Sequence, residues 1–114
     1  MTDEDKLQVL YNYIKMIEPN IRVYLDNNGV SVDGSGSLYM KIYCNGSKFA
    51  AQSSGLNCDW LHKIFKVYRV SLSRVQDVIP NNEITIMCDR YYILEPRNEG
   101  LFKDDWWRYV KYSI

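Results

Sequence analysis

The chain has few of the residues on which most enzymes and metal sites depend. Its 114 residues include one histidine, His62, and three widely spaced cysteines. A single histidine argues against the familiar hydrolase arrangements, and structural zinc sites usually carry their ligands in closely spaced pairs. Asp59 is close to His62 in sequence, but general acid–base catalysis also requires a pocket and a second positioned group. We therefore expect no catalytic residue, no metal and no cofactor.

The sequence also lacks long apolar runs, and we expect no secretory leader. No run of apolar residues approaches the length that a membrane span requires. Residues 1–5 are acidic, whereas a secretory leader begins with basic residues. The odd number of cysteines, Cys44, Cys58 and Cys88, favours free thiols over a disulfide framework. These features predict a cytoplasmic protein that makes no contact with a membrane.

The chain has no net charge, because fourteen lysines and arginines balance fourteen carboxylates. The charges are nevertheless unevenly distributed. Residues 34–76 contain six cations against one carboxylate, Asp59, whereas residues 1–33 and 77–114 have an excess of carboxylates. This asymmetry predicts that the neutral protein presents one basic face to a partner.

Alanine is scarce and tyrosine is abundant. The chain has two alanines, Ala50 and Ala51, and ten tyrosines, whose rings suit half-buried sheets and interfaces. Asparagine, isoleucine and lysine are also frequent. This composition points to an AT-rich genome, such as those of many phages, archaeal viruses and low-GC bacteria.

The first half of the chain changes from a helical pattern to a strand pattern. Thr2 can cap a helix that continues to Glu18, and apolar residues recur within it at helical spacing until Pro19 ends it. The period then becomes two, and Asn-Gly pairs provide hairpin turns. Residues 21–53 therefore predict four short antiparallel strands.

The second half predicts a central helix and two β-rich stretches. Asn57 or Asp59 can cap a helix over residues 59–69, "DWLHKIFKVYR". The segments "EITIMC" and "YYILE" are rich in strand-forming residues. A capping box at Ser73 predicts a short helix. For residues 103–114 we expect a helical turn followed by an edge strand.

Together these elements predict an α+β fold in which residues 1–114 form one domain. The length is that of a single domain that buries its own core. We expect an antiparallel sheet of about five or six strands, with the N-terminal helix and the central helix packed on one face.

The predicted central helix has one basic face. At helical spacing its apolar residues share one side, and its cations point the other way. Such a face could neutralise the phosphates of a nucleic acid or meet carboxylates on a protein, and it could equally be an ordinary solvated surface. The candidate nucleic-acid-binding residues are His62, Lys63, Lys66, Arg69 and Arg74.

The segment "KDDWWRYVKY", residues 103–112, is the second candidate for a contact surface. Tryptophan, tyrosine and arginine are enriched at the hot spots of protein interfaces. Adjacent tryptophans cannot both face the core, so we expect one ring to be buried and its neighbour exposed, either as the rim of the core or as a contact surface. The candidate protein-binding residues are Trp106, Trp107, Arg108 and Tyr109.

These observations favour a small non-catalytic protein-binding module, encoded by a virus, a phage or another mobile element. We expect it to act by sterically occupying a host or cognate protein, as an inhibitor, an anti-defence protein or an immunity protein does. A homodimer through the C-terminal edge strand is a variant of this expectation. The alternative is a nucleic-acid-binding accessory protein that uses the basic face of the central helix.

Overall fold

The computed structural model describes three stretches of the chain, residues 2–34, 38–55 and 58–97. In these stretches one helix precedes four strands, and a second helix precedes two more. The helices are α1 (Asp3–Ile17) and α2 (Asp59–Ile64); the strands are β1 (Arg22–Leu25), β2 (Gly29–Asp33), β3 (Tyr39–Asn45), β4 (Lys48–Ser53), β5 (Phe65–Val70) and β6 (Arg90–Pro96).

The N-terminal helix α1 begins at the predicted cap. The Thr2 hydroxyl accepts a hydrogen bond from the Asp5 amide at 3.1 Å, and the Asp5 carboxylate accepts one from the Thr2 amide at 3.2 Å. This reciprocal capping box satisfies two N–H groups that would otherwise lack partners at the start of the helix. The buried side of the helix consists of Leu7, Val9, Leu10 and Ile14.

The described strands form one antiparallel sheet in the order β1-β2-β3-β4-β6-β5. The four strands of the first half pair as successive hairpins, which confirms the four strands predicted over residues 21–53. The last strand, β6, lies between β4 and β5. This order places β1 and β5 at the two edges of the sheet.

Glycine is required at two points of these hairpins. Gly46 and Ser47 both have positive φ angles, 58° and 69°, as the two central residues of a tight hairpin turn between β3 and β4 do. At the start of β2, a β-carbon on Gly29 would collide with the backbone oxygen of Ile42 on β3. The second glycine therefore permits the close approach of the two strands.

The two faces of the sheet are covered differently. On one face, α1 and α2 pack over the main core, which includes Val30, Ile42 and Phe65. On the other face, residues 71–89, which we call the covering segment, pack over a smaller cluster of apolar side chains. That cluster consists of Tyr43, Ala50, Val75, Val78 and Ile79, with Val70, Leu72, Ile84, Tyr91 and Ile93 packed against it.

The central helix is shorter than predicted, and its predicted cap is wrong. The helix ends at Ile64, and the next six residues form β5. Two interactions explain this ending: β5 pairs with β6 along its whole length, and Arg97 donates its backbone N–H to the Ile64 carbonyl. The N-cap is Cys58, without a side-chain hydrogen bond, and Asp59 lies in the first turn.

Two predictions for the covering segment are also wrong. The short helix expected from Ser73 is a single 3₁₀ turn, Leu72–Arg74. The stretch "EITIMC" is not a strand: a second 3₁₀ turn, Asn81–Glu83, leads into a turn at residues 86–87, and strand pairing starts only at Arg90. The strand predicted from "YYILE" is present as β6.

The predicted fold class is confirmed: the described residues form an α+β fold with a six-stranded antiparallel sheet and both helices on one face. None of the described helices is long and apolar enough to cross a membrane. The helical turn and edge strand predicted for residues 103–114 lie outside the described residues.

Asp3 joins α1 to the turn between β3 and β4. Its carboxylate accepts hydrogen bonds from the amides of Gly46 at 2.8 Å and Ser47 at 3.1 Å, and from the Cys44 thiol at 3.4 Å. The bonds from the Gly46 and Ser47 amides stabilise the charged form and hold the pKa of Asp3 below its usual value.

Replacing Asp3 with alanine should lower the free energy of unfolding by about 0.5–1.5 kcal/mol near neutral pH, because two backbone amides lose their acceptor at an exposed position where water can replace it. The folded-state pKa is lowered, so this stabilisation is complete above the usual aspartate pKa of about 3.9 and is lost as the pH falls through the lowered value. Urea unfolding across this pH range should therefore show a gap between wild type and Asp3→Ala that closes on acidification. The control Glu4→Ala, at an exposed position, should change stability by less than about 0.5 kcal/mol. A gap independent of pH would contradict this role.

Candidate functional site

A buried lysine lies between the sheet and the covering segment. Lys41 points from β3 toward the face opposite the helices and is 5% exposed. Its ammonium group is 2.7 Å from the carboxylate of Asp26, which follows β1, and 2.7 Å from that of Glu83, in the covering segment. The lysine therefore joins the β1–β2 turn to the covering segment through two ion pairs.

Two further side chains of the sheet bind Glu83. The Tyr43 hydroxyl donates to the same Glu83 oxygen at 3.2 Å. The Gln52 amide group donates to the Tyr43 hydroxyl at 2.8 Å and to the Glu83 backbone carbonyl at 2.7 Å. Glu83 is thus held by both its side chain and its main chain. We call Asp26, Lys41, Tyr43, Gln52 and Glu83 the polar cluster.

The charge states in the polar cluster follow from these contacts. Burial alone would lower the pKa of Lys41, but its hydrogen bonds to Asp26 and Glu83 outweigh burial and raise it. Burial opposes the charge of Asp26, yet the bonds from Lys41 and from the backbone of Asn28 and Gly29 lower its pKa. Burial is the largest cause that raises the pKa of Tyr43. The lysine therefore stays charged and the tyrosine stays protonated as a donor.

A turn with an exposed apolar tip follows Glu83 in the covering segment. Ile86 is 100% exposed and Met87 is 71% exposed; we call these two residues the apolar tip. The turn is closed by the Cys88 amide, which donates to the Thr85 carbonyl at 3.2 Å, and by the Met87 amide, which donates to the Thr85 hydroxyl at 3.3 Å. Turns favour glycine, proline, asparagine, aspartate and serine, so two large apolar residues at this place are unusual.

Both ends of this turn are held against the sheet. On the N-terminal side, Glu83 is bound by other residues of the polar cluster, and Ile84 packs against the smaller apolar cluster. On the C-terminal side, Cys88 is buried, and Arg90 begins β6. The apolar tip is therefore presented to solvent by a base that is fixed on both sides.

The predicted basic helix face does not exist as one surface. His62 and Lys63 are exposed on α2, whereas Lys66 and Arg69 are exposed on β5. Lys66 and Arg69 are three residues apart on a strand, so their side chains point to opposite faces of the sheet. Arg74 is exposed in the covering segment. The structure thus places His62 and Lys63 on a helix, Lys66 and Arg69 on the strand that follows it and Arg74 in the covering segment, so the five candidates do not share one helix face.

The uneven charge distribution along the sequence is partly cancelled in the fold. Two of the six cations of residues 34–76 pair with carboxylates from the acidic parts of the chain: Lys41 with Asp26 and Glu83, and Lys48 with Asp77 at 3.2 Å. A third, Lys66, is opposite Glu95 in the pairing of β5 with β6. The cationic surplus in the sequence is therefore divided among ion pairs and separate surfaces.

The predicted aromatic contact residues, Trp106, Trp107, Arg108 and Tyr109, lie outside the described residues. Within the described stretches, the exposed tyrosines do not form a cluster. Tyr24 is on β1 and Tyr68 is on β5, which are the two opposite edges of the sheet. An aromatic-rich interface is not supported in the part of the chain that the structure describes.

Neither of the two cavities given by residues 2–34, 38–55 and 58–97, of about 410 and 290 Å³, includes Asp59 or His62. Burial, the largest cause, raises the pKa of the Cys44 and Cys58 thiols to about 12, so both stay protonated. In residues 2–34, 38–55 and 58–97, no three histidine, cysteine, aspartate or glutamate side chains are arranged to hold a metal ion.

The polar cluster and the apolar tip were both missed at the level of sequence. Lys41 gave one signal, because it interrupts a run of apolar strand residues and alternation directs it away from the helix-covered face, whereas Gln52 only follows an apolar run. The tip gave none, since "ITIM" has the composition of a strand.

Comparison with models of known protein families, with curated proteins and with solved structures finds no match for this chain. Function must therefore be inferred from the chemistry of the site alone.

Two lysine substitutions test whether the polar cluster holds the covering segment. Lys41→Met should lower the free energy of unfolding by about 2–3 kcal/mol, because it removes the buried partner of two carboxylates. Lys48→Met breaks an ion pair in which both side chains are largely exposed, so it should cost less than about 0.5 kcal/mol. Urea denaturation of both variants provides the comparison. Equal losses of stability would contradict the structural role given to Lys41.

Proposed function

We propose that this protein is a small non-catalytic protein-binding module that acts by occupying the surface of a partner protein. Inhibitors, anti-defence proteins and immunity proteins of viruses, phages and other mobile elements work in this way. The proposal includes a cytoplasmic location, which is supported by three free cysteines in the described residues.

The observation that carries the proposal is the apolar tip. Single exposed apolar residues are common on proteins, but Ile86 is fully exposed, its neighbour Met87 is largely exposed, and the two occupy a hydrogen-bonded turn. They contribute nothing to either apolar cluster of the fold. A partner that covers them would gain the burial of two large side chains, whereas the free protein leaves them in water.

The surroundings of the apolar tip favour a protein partner over a lipid surface. Loops that insert into membranes combine apolar residues with lysine and arginine, which attract anionic headgroups. The charged residues nearest to the tip in sequence are Glu83, Asp89 and Arg90. They include one cation, and Glu83 is already paired with Lys41. An apolar pocket on a folded protein fits this chemistry better.

The apolar tip belongs to neither of the two contact surfaces that the sequence predicts. The nucleic-acid alternative rested on a basic helix face that the fold divides, so no specific observation favours it. The candidate contact residues Trp106, Trp107, Arg108 and Tyr109 stay a prediction.

Photo-cross-linking in the cells that produce the protein tests the proposed function. A photoreactive amino acid at position 86 or 87 should form a cross-link to one defined protein, which mass spectrometry then identifies. The same amino acid at Asn82, an exposed position of the covering segment, should not. The purified partner should bind Ile86→Asp at least about tenfold more weakly than wild type, because interface hot spots contribute at least this much.

The Ile86→Asp variant should retain the wild-type free energy of unfolding within about 0.5 kcal/mol, because the side chain is fully exposed in the free protein. Unchanged affinity of the cross-linked partner for this variant would refute the proposed function. Binding of the wild type, but not the variant, to vesicles of phosphatidylcholine and phosphatidylserine would replace the protein partner with a lipid surface.

A further inference from the structure

The polar cluster and the apolar tip are neighbours in the chain. Glu83 ends the 3₁₀ turn that precedes the tip, and Ile86 follows it by three residues. Glu83 receives hydrogen bonds from Lys41 and Tyr43 on its side chain and from Gln52 on its carbonyl. Glu83, at the base of the tip, therefore receives three hydrogen bonds from the sheet, from two neighbouring strands.

We infer that Lys41, Tyr43 and Gln52 are positioning residues for the apolar tip, which they hold in the one arrangement that enters a preformed apolar pocket on the partner. This inference rests on the proposed function, because it assigns the orientation of the same contact surface. None of the three residues touches the partner. They act through Glu83.

The cost of burying these groups supports a role beyond stability. Gln52 is 1% exposed, and its carbonyl oxygen has no hydrogen-bond partner among the described residues. Buried ion pairs and incompletely paired amides are often no more stabilising than apolar side chains of the same size. An all-apolar contact would close this face equally well, but it would not bind both the side chain and the carbonyl of one residue. Directional hydrogen bonds fix position as well as distance.

A fixed base matters for binding because a mobile loop loses conformational freedom when it is captured. Holding the loop in its bound conformation beforehand removes this cost from the binding step. Loosening the base should therefore weaken the complex even though every contact atom of the tip is retained. We expect about a tenfold loss of affinity, mainly through a lower fraction of the binding-competent conformation.

Gln52→Leu is the most direct test, because it removes both hydrogen bonds of Gln52 and keeps a similar volume. Backbone ¹⁵N relaxation should show lower order parameters for residues 84–88 in this variant. The amides of Gly46 and Ser47, in the distant turn held by Asp3, should keep their wild-type values. Tyr43→Phe provides a milder variant of the same kind, and Lys48→Met provides a control outside the polar cluster.

Affinity for the partner identified through position 86 completes the test. The inference predicts about tenfold weaker binding for Gln52→Leu, a smaller loss for Tyr43→Phe and no loss for Lys48→Met. Weaker binding without any change at residues 84–88, or greater mobility with unchanged affinity, would overturn it. If Ile86→Asp weakens binding and Gln52→Leu does not, the proposed function stands and the positioning role falls. If neither variant binds more weakly, both the proposed function and the positioning role are refuted.

Discussion

The contact between Lys41 and Glu83 is the constraint on which the rest of this site depends. This contact joins the middle of the sheet to the covering segment, which has little regular structure of its own. Tyr43 and Gln52 bind the same glutamate from neighbouring strands, so the covering segment is fixed by the sheet and not by local hydrogen bonds alone. This fixation leaves the residues at the tip of the next turn free of any role in the core. The apolar tip can therefore be a contact surface without disturbing the fold.

Much of the fold could be predicted because the evidence is local. The capping box of α1 needs residues three apart, and the hairpins of the first four strands need short turns with glycine or asparagine. The alternation of side chains also predicted the correct number of strands over residues 21–53. These features arise from interactions between neighbours in the sequence, which a single sequence displays directly.

The errors fall where distant residues decide the structure. Residues 65–70 have apolar side chains at helical spacing as well as at alternating positions, and only pairing with β6 selects the strand. The stretch after Glu83 has the composition of a strand, but the polar cluster holds its start and the burial of Cys88 holds its end. Sequence patterns fail most often at functional or constrained positions, and this turn is both constrained and exposed. The prediction of a basic helix face was wrong for the same reason, because it depended on the predicted length of one helix.

The most direct test of the central claim is methyl NMR of the protein in the cells that produce it. Ile86 and Met87 carry methyl groups that report directly on the apolar tip, and Met16, which is 59% exposed on α1, is a matched reference outside the site. If the apolar tip is a contact surface, the Ile86 and Met87 methyl signals should shift or broaden in the cell relative to the purified protein. The Met16 methyl signal should show only the smaller change that the crowded cell interior causes at any exposed methyl group. If all three methyl signals change equally, the apolar tip binds no partner and the account is wrong.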